Sequence, residues 1–123
     1  MILTLSPKEC VVLRAMFDSL EIKDYDFNHV LTELDLASKN TKYDTLVEFD
    51  FLEYDINIMI NAIDVFIEGH NKEHPGPTSS VVMLLRQIHG IILNVLPDKS
   101  SYFLKKKWVF TSNPPKSFPP FIE

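Results

Sequence analysis

The 123-residue chain is 46% hydrophobic and 24% charged, a balance that excludes disorder as its main state and, at this length, a core plus a separate catalytic domain. One cysteine excludes an internal disulfide, and the densest apolar runs, VVMLL at 81–85 and IIL at 91–93, fall short of the ~18 residues of a membrane span. Net charge is −5, yet residues 1–74 hold 15 acids against 6 Lys and Arg while residues 75–123 hold 2 against 6, so most of the chain repels nucleic acid and favours basic partners.

One compact unit over 1–110 with a Pro-rich tail at 111–123 is expected. The opening MILTLSPKEC lacks a basic and then apolar leader, so the expected compartment is the cytoplasm.

Leu3 and Leu5 alternate ahead of Ser6, Pro7 and Glu9. This order predicts a short extended lead-in and then a helix opened by a capping box with proline at its first position. Val12, Leu13, Met16, Phe17 and Leu20 recur at helical spacing and mark its core face. A second helix is expected after a cap at Asp24 or Asp26, with Phe27, Val30, Leu31 and Leu34 inward. VEFDFLE at 47–53 then repeats the opening order, with Val47 and Phe49 alternating, Asp50 as cap and Glu53 three residues on. The third helix carries Ile56, Met59, Ile60, Ile63, Phe66 and Ile67 inward and is expected to stop at Gly69, with HNKEHPGPTSS as a loop.

A fourth helix, roughly 79–96, has the cleanest stripe: Val81, Leu84, Leu85, Ile88, Ile91, Ile92 and Val95, closed by Pro97. It is expected to be the central core helix. Tyr102, Leu104, Trp108 and Phe110 alternate along SYFLKKKWVF and predict a strand pairing with the 1–5 or 45–51 lead-in. The expected fold is therefore mainly α, about four helices arranged as two helical hairpins, with a small two- or three-stranded sheet from residues near 1–5, 45–51 and 102–110.

HNKEH at 70–74 has the spacing H-x-x-E-H and resembles the motif with which a family of zinc peptidases holds its metal and activates a water. That resemblance implies both histidines on one face of an unbroken helix. Here Gly69 precedes and Pro75-Gly76-Pro77 follows, which bends the backbone at His74, and the acids beyond Glu73 are Asp98 and Glu123 alone. No metal and no cofactor is assigned on this basis. LSPKECVVLR at 5–14 resembles the opening helix of the LuxR-type helix-turn-helix domain, and LASKNTK at 36–42 its turn. The segment that would read DNA, YDTLVEFDF, carries Asp44, Glu48 and Asp50, the wrong sign for phosphates.

Cys10, in the first turn of an amphipathic helix, is expected to be a small buried thiol. His29 and His89 are expected to pack on helices; Lys105-Lys106-Lys107 beside Trp108, a weak signal for single-stranded nucleic acid, equally fit pairing with the chain's own acidic face or protection of a strand edge.

What remains is a non-catalytic acidic protein-binding module, with no direct nucleic acid or membrane contact expected. Between Tyr43 and Asn71 lie seven acids and no Lys or Arg. Asp44, Glu48, Asp50, Glu53 and Asp55, with Tyr54 and Trp108, are the expected contacts to a basic surface on a partner such as a nuclease or nucleic-acid-binding protein. Phe51, Tyr43 and Phe121 are further expected anchors. Phage-encoded inhibitors of host defence, immunity proteins and antitoxins share this profile. Two other readings stay open: a small metal-binding protein or hydrolase using HNKEH, and a self-associating scaffold using the helix 4 flank Val82, Leu93 and Leu96.

Overall fold

Ser6 sets where the first helix begins. Its side chain accepts the Glu9 N–H (3.2 Å) while Glu9 Oε1 accepts the Ser6 N–H (2.8 Å), the reciprocal cap expected of this order. The computed structural model describes residues 1–22, 28–40, 45–76, 79–96 and 108–110. In chain order they form β1 (Ile2–Leu5), α1 (Pro7–Met16), a 3-10 turn (Phe17–Ser19), β2 (Leu20–Ile22), α2 (Asn28–Asn40), β3 (Val47–Asp50), α3 (Glu53–Glu73), α4 (Ser80–Leu93) and β4 (Trp108–Phe110). Asp24, Asp26, Phe27, Pro97, Tyr102, Leu104 and the 111–123 tail lie outside the described residues.

The fold is mainly helical, as expected. α1 lies against α2 and α3 against α4, and α1 also touches α4, so the two helical pairs share one core. The two lead-ins pair antiparallel, Leu3 opposite Phe49 and Leu5 opposite Val47, and this register sends Leu3, Leu5 and Phe49 inward and Ile2, Thr4, Glu48 and Asp50 outward.

Three expectations change. β4 does not join the lead-ins; it pairs with β2, Ile22 opposite Trp108 and Leu20 opposite Phe110. Leu20 is thus a strand residue, because α1 tightens into the 3-10 turn after Met16 instead of running on. The central helix is α3, buried without a break from Asp55 to Ile63, whereas α4 fully buries only Val82, Leu85, Ile88 and Ile92. Finally, α3 does not stop at Gly69 but continues to Glu73. An interior glycine costs a helix only about 1 kcal/mol, and the added turn gains a Phe66–His70 ring stack (5.5 Å) and a His74 N–H bond to His70 O (2.9 Å). Pro75 ends the helix, and Gly76, at φ +137°, takes the turn that follows.

Val82 and Leu96, two of the three residues of the expected self-association flank, are buried in their own chain, and Leu93 is partly buried against the core. That flank is used up inside the fold. No helix among the described residues is long and apolar enough to cross a membrane.

Cys10 is fully buried, and burial first, then the charge of Glu9, pushes its thiol up to about 12. It should therefore resist a disulfide reagent at pH 8 in the native protein and react fully in denaturant. Rapid modification of the native chain would contradict this placement.

Candidate interaction surface

The joint between β3 and α3 decides which acids face solvent. Phe51 N–H donates to Met1 O (2.9 Å), and the Met1 ammonium donates to Phe51 O (2.8 Å) and to Asp50 Oδ1 (3.1 Å). The ladder thus holds residues 50 and 51 extended, and the chain cannot turn into a helix at Asp50. The cap moves two residues on, to Leu52 (φ −73°, ψ 157°), whose side chain has no acceptor. Asp55, third in the helix, supplies the reciprocal half, its Oδ2 accepting the Leu52 N–H at 3.0 Å.

Two expected contact residues are consequently structural. Asp55 is only 4% exposed, and besides Leu52 its Oδ2 meets His29 Nδ1 at 3.0 Å, tying α2 to α3. The other ring nitrogen of this half-exposed histidine side chain, Nε2, lies 3.9 Å from Glu33 Oε1. Phe51 is 1% exposed, stacked on Phe49 (5.1 Å, 9°) and met edge-on by His29 (5.8 Å, 84°). Neither can touch a partner.

What the joint does present is Glu48, Asp50 and Glu53, all exposed, around three apolar side chains: Leu52 at 68% exposure, Ile2 at 56% and Tyr54 at 43%. Among the described residues neither Glu48 nor Glu53 is in an ion pair, and Asp50 has only the Met1 ammonium. Four other acids are in ion pairs within the chain: Asp35 (2.7 Å) and Asp18 (3.4 Å) with Arg14, Asp64 with His89 (3.0 Å), and Glu68 with Lys72 (3.8 Å). Ile2 and Leu52 are exposed apolar side chains absent from the residues expected to make contacts. Ile2 was legible, since it alternates with buried Leu3, but Leu52 was hidden by the cap assigned to Asp50. Asp44, Tyr43 and Phe121 lie outside the described residues, and Trp108 belongs to the other strand pair, opposite Ile22.

An open groove between α3 and α4 is lined by Asp64, Ile67, Glu68, Arg86 and His89. Its lining includes no hydroxyl or thiol nucleophile, and His89 Nε2 sits 3.0 Å from Asp64 Oδ1.

HNKEH ends α3. His70 is helical, but His74 has φ −128° and ψ 68°, outside the helical region, so the unbroken helix implied by the peptidase resemblance is absent at its second histidine. The rings of His70 and His74 stand 4.8 Å apart. Burial first, then the neighbouring His74, lowers the His70 pKa from the usual histidine value. Among the described residues no group of three or more His, Cys, Asp or Glu converges as metal ligands would.

Comparison with protein-family models, with curated proteins and with solved structures finds no match for this chain.

Proposed function

We propose that this protein is a non-catalytic acidic protein-binding module that masks a basic surface of a partner protein. The observation that carries the reading is the β3–α3 joint, where Glu48, Asp50 and Glu53 surround exposed Leu52, Ile2 and Tyr54. Glu48 and Asp50 lie two apart on the outward face of a paired strand, so their Cα atoms stand roughly 7 Å apart on a fixed ladder. Carboxylates in such a row attract the lysines and arginines of a nucleic-acid-binding or nuclease surface and speed encounter, while the apolar side chains supply contact area that charge alone lacks. This division of labour fits an inhibitor, immunity protein or antitoxin.

The test is binding to a basic partner recovered with the chain and identified by native mass spectrometry. The triple variant Glu48→Lys, Asp50→Lys, Glu53→Lys should lose at least about tenfold in affinity, mostly through a slower on-rate, and added salt should erase much of the difference. All three side chains are exposed, so the variant should fold. Equal affinity of the variant and the original chain would remove the joint from the binding mechanism.

A further inference from the structure

The end of α3 carries an arrangement that the acidic joint does not use. His74 N–H donates to His70 O at 2.9 Å, so the two residues keep the i, i+4 relation of a helical turn although the dihedrals of His74 leave the helix. Their ring planes are 42° apart and their centres 4.8 Å apart. His70 is held on one side by its stack on Phe66 at 5.5 Å, and Pro75-Gly76 turns the chain away just beyond His74.

We propose that His70 and His74 form a two-imidazole site for a divalent transition-metal ion such as zinc or nickel, completed by water. With one nitrogen of each ring turned toward a shared ion at ~2.05 Å, the ion lies ~3.2 Å from each ring centre, and centres 4.8 Å apart then subtend roughly 97° at it. That angle falls between the octahedral and tetrahedral values, so the ring separation needs little adjustment. The last carbonyls of α3 give this end of the helix partial negative charge, which favours a cation. The lysine of the same turn, Lys72, reaches back toward Glu68 (3.8 Å). No third His, Cys, Asp or Glu completes the set among the described residues, and a pair of imidazoles selects zinc, nickel or copper over calcium and magnesium, which want oxygen ligands.

Calorimetric titration of the untagged full chain with Zn²⁺ and with Ni²⁺ tests the site. One ion per chain is expected, with His70→Ala and His74→Ala each binding at least ~tenfold more weakly, since loss of a ligand costs no less than altering a second-shell partner. Thermal unfolding gives an independent reading: Zn²⁺ should raise Tm of the original chain and of neither variant. His74 is exposed at the end of its helix, so His74→Gln gives a second variant expected to keep its fold, checked by far-UV circular dichroism. Binding undiminished in any folded variant, or no heat and no Tm change with millimolar ion, would overturn the proposal.

Discussion

Phe51→Ala should cost about 3–5 kcal/mol of stability, the range for truncating a buried aromatic, and so remove a large part of the ~5–15 kcal/mol typical of a domain. Phe51 lies 1% exposed between Phe49 and His29, at the joint where β3 passes into α3. Little can collapse into the space it leaves, because its own N–H is tied to Met1 O and Phe49 is locked in the ladder opposite Leu3. Urea unfolding should give a lower midpoint with an unchanged slope. Leu52→Ala, one residue on and 68% exposed, should stay within about 0.5 kcal/mol. If the acidic joint binds a partner, the order reverses in a binding assay, with Leu52→Ala weakening affinity at full stability. A Phe51→Ala cost below about 1 kcal/mol would return that ring to the surface, where the sequence pattern had placed it.

The pattern misled at Phe51 for a definable reason. Asp50 followed three residues later by Glu53 has the order of a capping box, and nothing local in it says that Met1 will pair across the sheet. A contact between residues fifty apart moved the cap, and with it the inward face of the first turn. The Ser6 cap, by contrast, was legible because both of its hydrogen bonds lie within four residues. β2 was hidden in the same way as Phe51: Leu20 fits the α1 stripe, and only its partner Phe110, far along the chain, makes it a strand.

The ranking of α3 and α4 reversed for a different physical reason. A clean apolar stripe is the mark of a helix with one face in water, and α4 is such a helix. α3 reads less cleanly because it is buried on every side from Asp55 to Ile63 and carries Asn57 and Asn61 among its apolar residues. Those side chains donate to the carbonyls of Glu53 (3.0 Å) and Asn57 (2.9 Å) one turn back, which satisfies their N–H groups in the core, while Asn57 Oδ1 has no partner among the described residues. Hydropathy contrast therefore picked the better-patterned helix rather than the more central one.

The acids show the same separation between residue type and role. Glu53 and Asp55 are two residues apart in the first turn of α3, both favoured there by the helix dipole, yet one is exposed and the other buried. Counting charge along the chain cannot distinguish them, and substitution can.

Asp55→Ala is expected to cost about 2–3 kcal/mol, because it strips the Leu52 N–H of its acceptor and unties His29 from α3 in one step. The first loss should be the larger. The His29 ring is half exposed, so its contact with Asp55 is screened and worth at most about 1 kcal/mol, whereas the N–H at the helix entrance lies partly out of water. A double-mutant cycle with His29→Ala separates the two, and a coupling below about 1 kcal/mol beside a large single effect of Asp55→Ala is the expected outcome. Asp55→Asn keeps a carbonyl acceptor and should fall between the original chain and the alanine variant. Glu53→Ala, the matched control, should lose at most about 0.5 kcal/mol through the dipole. If Asp55→Ala proved as mild as Glu53→Ala, the helix would not depend on this cap, and Asp55 would rejoin Glu48, Asp50 and Glu53 as an acid available to a partner.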